Sequence, residues 1–163
     1  MLPRPSMNMR LNPAAVNGTV ISSHHRSAEG PTTARPGELS LTLPIPPSIN
    51  HQYATVNGRR LLSAHGRSYK ALVGQEVMMA LSRTSSRRTI LEAFRTEELA
   101  LCIRFFFTSR LRRDVDGGLK IAQDALCQGL GINDNRIVET HLYKHVDKAA
   151  PRMEIRLCVA VKA

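Results

Sequence analysis

The chain has 163 residues, enough for one domain with a real core and too few for two substantial ones. Its 23 Lys and Arg against 13 Asp and Glu leave a net charge of +10, which draws anions and points to nucleic acid, an acidic membrane surface or an acidic partner without choosing among them. Cys102, Cys127 and Cys158 form no C-x-x-C, which argues against a disulfide framework or a thiolate zinc site and fits a reducing cytoplasm, and the longest apolar run, 99–107, is well short of the ~20 residues of a membrane span and contains Arg104.

Residues 1–36 mix Pro, Ser, Asn, Gly and Arg without periodicity and lack a signal-peptide core, so they read as a disordered basic tail ahead of a domain at 37–163. The alternative for the tail is an arm that touches DNA through Arg4, Arg10, Arg26 and Arg35. Alternation in 39–45 predicts a strand with Leu39, Leu41, Leu43 and Ile45 on one face, kept at an edge or ended by Pro44. Pro46-Pro47-Ser48-Ile49-Asn50 then forces an extended, turning path. Asn57-Gly58 between the strand-like runs 53–56 and 59–62 is a hairpin signal. Arg59 and Arg60, just past its tip, are either solvated loop arginines or a basic finger for phosphates. Tyr69, Leu72, Val73, Val77, Ala80 and Leu81 recur at helical steps over 65–82, with Ser63 as a candidate cap. Met78 and Met79 widen that face for core or dimer packing. The polar, basic stretch 83–98 is expected to be a loop, with at most a short helical turn at 90–94.

Residues 99–107 are apolar at nearly every position and predict a central strand buried on both faces. A basic connector, 108–113, delivers the chain to Asp114. Leu119, Ala122, Gln123 and Leu126 then mark one side of a helix expected to start near Asp116 and end at Gly129 or Gly131. After a turn-rich link at 132–136, strands at 137–146 and 152–161 are expected to pair antiparallel across 147–151. The first sends Val138, Thr140, Leu142 and Val146 one way and Glu139, His141, Tyr143 and His145 the other; the second turns Met153, Ile155, Leu157, Val159 and Val161 inward. The fold class is α/β or α+β, with a mixed sheet of about five or six strands and two main helices.

Chemistry concentrates in Arg112-Arg113-Asp114-Val115-Asp116-Gly117-Gly118-Leu119-Lys120. A D-x-D pair offers the carboxylate oxygens that a hard cation prefers, and the flanking cations suit a polyanionic substrate. On a helix starting at Asp116, Lys120 lies four residues on, beside that carboxylate. Asp134, in the turn after the helix, can fold back to give a third oxygen donor for Mg²⁺, with Mn²⁺ a possible substitute. Lys120 would then stabilise transition-state charge or orient the nucleophile, and Arg112 and Arg113 would hold flanking phosphates. The plainer readings are a helix N-cap with an acidic first turn for the D-x-D, a turn residue for Asp134, and a helix-face carboxylate for Asp124. His141 and His145 are four apart on a strand, which does not bring them together on a metal.

The order of parts carries a resemblance. A strand running into Pro44-Ile45-Pro46-Pro47-Ser48 and Asn50, a helix, a strand ending in basic residues, Asp114-x-Asp116-x-x-x-Lys120-x-x-x-Asp124-Ala125-Leu126, and Asp134 followed by Ile137-Val138 resemble the RusA family of Holliday junction resolvases over roughly 39–161. The resemblance implies a Mg²⁺-dependent, homodimeric endonuclease, commonly of prophage origin. Asp114, Asp116 and Asp134 would be the metal carboxylates and Lys120 the catalytic lysine, with two sites cutting opposed strands of branched DNA. Two departures stand out: Gly117-Gly118 replaces the Asn usual after the second Asp, and Asn133-Asp134 replaces an Asp-Asp pair with a one-residue shift. Competing readings are a non-catalytic basic nucleic-acid-binding protein and, because Asp114-Val-Asp-Gly-Gly118 echoes a nucleophile loop, a haloacid-dehalogenase-like phosphatase.

Overall fold

A computed structural model describes residues 37–110 and 114–161; the expected basic tail at 1–36 and both Arg112 and Arg113 lie outside the described residues. The order of elements is β1 (Glu38–Leu43), α1 (Ile49–Gln52), β2 (Tyr53–Val56), β3 (Arg59–Leu62), α2 (Ala64–Ser82), α3 (Arg87–Thr96), β4 (Leu99–Phe107), α4 (Leu119–Leu130), a 3-10 turn at Asp134–Arg136, β5 (Ile137–Val146) and β6 (Arg152–Val159). The six strands form two sheets, a four-stranded one in the order β1-β6-β4-β5 and the two-stranded β2-β3 hairpin. The fold is thus mixed α+β, with three helices of ten or more residues among the described residues where two main helices were expected.

β1 is an edge strand that ends one residue before Pro44, as its missing donor requires. Asn57 and Gly58 both take positive φ, 51° and 72°, the left-handed pair that a two-residue hairpin needs. Ser63 caps α2 by accepting from the Gly66 amide at 3.0 Å. Met78 stands 66% exposed on α2, so it is not core.

Four expectations fail for identifiable reasons. Residues 87–96 form the helix α3, not a loop, because Ile90 and Phe94, four apart, both bury into the core while the arginines stay outside. β4 is central, but only its odd-numbered side chains are buried. Ala100, Cys102 and Phe106 are half-buried and Arg104 is exposed, since the helices' buried residues join the core on the other face. Finally, β5 and β6 do not pair with each other. β4 lies between them, parallel to β5 and antiparallel to β6. The link 147–151 passes the end of β4, where the Asp147 amide donates to the Phe107 carbonyl at 2.8 Å and Arg152 Nη1 donates to Asp147 Oδ2 at 2.7 Å. β6 also ends at Val159, leaving Val161 88% exposed, not inward-facing.

β4 and β5 run parallel because α4 carries the chain back between them. That helix buries Ile121, Ala122, Ala125, Leu126, Cys127 and Leu130 and stops at Gly131, whose φ of 66° is a left-handed cap. The segment delivering the chain into α4 therefore emerges at the C-terminal end of β4, beside the loop that leaves β1.

Candidate active site

Asp114 and Asp116 lie in the turn between β4 and α4, both exposed. The turn closes with the Gly117 amide on the Asp114 carbonyl at 3.3 Å and the Leu119 amide on the Asp116 carbonyl at 2.9 Å. α4 consequently begins at Leu119, three residues later than expected, because Gly117-Gly118 favours a turn over a helical start. This changes the partner of Lys120. Its ammonium does not pair with Asp116 but with Asp124 one helical turn on, at 3.2 Å, with 73% of the lysine side chain exposed and 28% of the aspartate. The Asp124 bond and charge raise the Lys120 pKa, with smaller contributions from Tyr53 and Asp134, so Lys120 stays a cation.

Asp134 opens the 3-10 turn, which packs against α4 and is held by Asn133 Oδ1 accepting from the Asn135 amide at 3.1 Å. Its charge acts on Lys120 and, together with that of Asp124, on Cys127, whose thiol is pushed up to about 11, chiefly by burial. Asp134 thus shares the electrostatic neighbourhood of Lys120. Among the described residues, however, no three His, Cys, Asp or Glu side chains stand together as a metal cluster. His141 instead meets Glu139 at 3.3 Å, and His145 stacks on Phe106 with centroids 4.9 Å apart.

A cleft of about 190 Å³ adjoins the acidic turn. One wall is Ile45 to Asn50, the other is Asp114, Val115, Gly117 and Gly118, and Phe105 and Phe107 of β4 also line it. The β2-β3 hairpin rises from the end of the first wall. Arg59 and Arg60 are both exposed on it, and the Arg60 guanidinium lies 4.5 Å from the centroid of the Tyr53 ring.

Two residues escaped the sequence pattern. Tyr53, read only as part of a strand, lies with its ring under the Arg60 guanidinium. Gln52, 2% exposed, donates from Nε2 to the Pro47 carbonyl at 2.9 Å and to the Gly117 carbonyl at 3.2 Å. A lone glutamine between His and Tyr gives no periodic or motif signal.

The described residues thus include two exposed carboxylates after β4, an exposed lysine paired with Asp124 and a hairpin carrying two exposed arginines. The acidic turn follows β4 and not the first strand of the fold, which removes the phosphatase reading. Residues 44–158 match the family model described as Endodeoxyribonuclease RusA, so the chain belongs to that family of endodeoxyribonucleases, hydrolases of DNA phosphodiester bonds. The crossover junction endodeoxyribonuclease RusA of Escherichia coli K12 is 29% identical over 119 residues, which cover 72% of this chain and 92% of the relative. Its namesake from Shigella sonnei matches equally, and that of Enterobacteria phage 82 is 27% identical over 118 residues, covering 72% and 91%.

Proposed function

We propose that the chain resolves four-way DNA junctions by paired, symmetric nicks, acting as a cytoplasmic homodimer with Mg²⁺, or Mn²⁺ in its place, in a bacterium or from a prophage. The match of residues 44–158 to the nuclease family carries this reading, because it spans the acidic turn, α4 and Asp134 together. In the same reading, 37–163 is the nuclease domain and 1–36 a basic extension.

The donor chemistry suits a hard divalent cation. Asp114 and Asp116 present only carboxylate oxygens, and a cation of this kind commonly takes one or two carboxylates and completes its shell with water and substrate phosphate, so a preformed three-ligand cluster is not required. Asp114, Asp116 and Asp134 are the residues assigned to hold it. When bound, it supplies a Lewis acid and a water of lowered pKa. The protein's own groups do the rest. Lys120, an ammonium paired with Asp124, would meet negative charge on a reacting phosphate. Arg59 and Arg60 on the hairpin, with Arg112 and Arg113 before the turn, take flanking phosphates.

The test is incubation with a synthetic four-way junction, a linear duplex and a splayed duplex, with Mg²⁺ and with EDTA. Symmetric nicks in the junction alone, dependent on the cation, are expected. Asp116→Asn is expected to lower cleavage at least a thousandfold while still binding junction. Equal cutting of the linear duplex, or an Asp116→Asn variant as active as the parent, would sink the assignment.

A further inference from the structure

We infer that Gln52 is a positioning residue for the acidic turn, holding the backbone that carries Asp114 and Asp116 in register with the opposite wall of the cleft; this rests on the nuclease reading above. Gln52 is the last residue of α1, and its side chain is turned into the protein, 2% exposed. Its amide nitrogen sits between two carbonyl oxygens, Pro47 O at 2.9 Å and Gly117 O at 3.2 Å. Both neighbours are acceptors, so only the NH₂ end satisfies them, and both of its hydrogens are used. The side chain therefore ties the two walls of the cleft across 65 residues of sequence.

The backbone of Gln52 is itself anchored. Its amide donates to the Ser48 carbonyl at 3.1 Å, and its carbonyl accepts from the Ser63 amide at 2.9 Å, at the cap of α2. The amide group is thus presented from a fixed base. The turn it grips has little stiffness of its own, being Asp114-Val115-Asp116-Gly117-Gly118 closed by the two backbone bonds already described. Glycine at 117 leaves the peptide free to rotate, and the Gln52 bond fixes the carbonyl of that residue, one position past Asp116. Gly118 adds a second constraint, since a Cβ there would overlap Pro46 Cγ. Gln52 touches neither the cation carboxylates nor substrate; its effect passes through Gly117.

The experiment uses the full chain with Gln52→Met, which keeps length without a donor, and Gln52→Glu. Amide hydrogen exchange over 114–119 and Mn²⁺ binding by calorimetry need no cleavage; junction cleavage against Mg²⁺ concentration adds the functional readout. In Gln52→Met, exchange in 114–119 is expected to quicken at least tenfold and the half-saturating cation concentration to rise at least tenfold, with junction affinity in EDTA within twofold of the parent. In Gln52→Glu, an ionised carboxylate faces two carbonyls and donates nothing, whereas the protonated acid donates one bond. The ratio of its activity to that of the parent is therefore expected to climb as pH falls from 8 to 6. A variant with parental exchange in 114–119, or with faster exchange but an unchanged cation requirement, overturns the inference. If the parent neither cuts junctions nor binds Mn²⁺, the nuclease reading fails, and the exchange result still decides whether the clamp exists.

Discussion

Two segments face each other across the cleft, and they reach order by opposite means. The wall at 44–52 is stiff by composition: Pro44, Pro46 and Pro47 fix three φ angles, and α1 closes on the Ser48 carbonyl through the amides of His51 and Gln52. The acidic turn at 114–118 ends in two glycines and closes on two backbone bonds, and what shapes it further comes from the wall, through the Gln52 amide and the Pro46 ring. A site that must place charged groups to within a fraction of an ångström can thus put its rigidity in one strand of chain and its chemistry in the other. The relation is lopsided, so damage to the wall should spread to the turn more than the reverse.

The largest effect expected from breaking this arrangement comes from Gly118→Ala. The added Cβ overlaps the Pro46 ring, which is not a flexible arm that can swing away, so the turn itself must move. Cleavage is expected to fall at least a hundredfold and stability by about 2 kcal/mol, the order of an overpacked buried site. Pro46→Ala in the same chain removes Cγ, and the double variant is expected to recover at least a tenth of parental activity. Gly117→Ala is the control, since its Cβ would meet only the Asp114 carbonyl at 3.5 Å, an ordinary contact; it should stay within threefold. Similar losses from Gly117→Ala and Gly118→Ala would show that the turn is ruled by its own flexibility and not by the wall.

A smaller effect should come from the hairpin that prolongs the wall. Arg59→Ala and Arg60→Ala are each expected to weaken junction binding about three- to tenfold and to lower the slope of log affinity against log salt by about 0.9, the value for one phosphate contact. Arg60 also stacks on Tyr53, which fixes its guanidinium on the hairpin, so Arg60→Ala should reduce cleavage of bound junction as well, and Arg59→Ala should not. Binding titrations at several salt concentrations, followed by single-turnover cleavage, separate the two. Unchanged salt slopes in both variants would leave the hairpin as solvated surface.

The same asymmetry separates what is legible in the sequence from what is not. The stiff parts announce themselves locally: Pro44 ended β1, Asn57-Gly58 made the hairpin, Ser63 capped α2, and Gly131 stopped α4. The acidic stretch was also conspicuous, because two aspartates, a lysine and two arginines in nine residues have few ordinary uses. What stayed hidden depends on distant neighbours. The pairing of β5 with β4 and not β6 is set by a helix crossing, α3 forms because Ile90 and Phe94 find a core, and Gln52 acquires its role only when residue 117 is brought to it. The helix start misled for a related reason: Gly117 and Gly118 moved it to Leu119, and Lys120 turned from Asp116 to Asp124.

The smallest expected effect asks whether the wall also depends on perfect packing behind it. α2 packs against α1, and its Tyr69 is 6% exposed with a hydroxyl that has no hydrogen-bond partner among the described residues. A buried, unpaired hydroxyl costs about 1–3 kcal/mol of desolvation, so Tyr69→Phe, which removes only that oxygen, should leave stability unchanged or raise it by about 1 kcal/mol. Burial also raises the pKa of this phenol above its ordinary value near 10. A group raised on folding contributes stability that is fully present below its unfolded pKa and is lost as pH climbs past it. Tyr69→Phe should therefore gain most, relative to the parent, in denaturant melts above pH 10. Junction cleavage at neutral pH should be unaltered, because the prolines and the Gln52 bonds, and not this hydroxyl, hold the wall. A Tyr69→Phe variant that folds normally yet cuts poorly would mean that the wall takes its order from the core behind it, and the stiffness assigned to 44–52 would have to be relocated to α2.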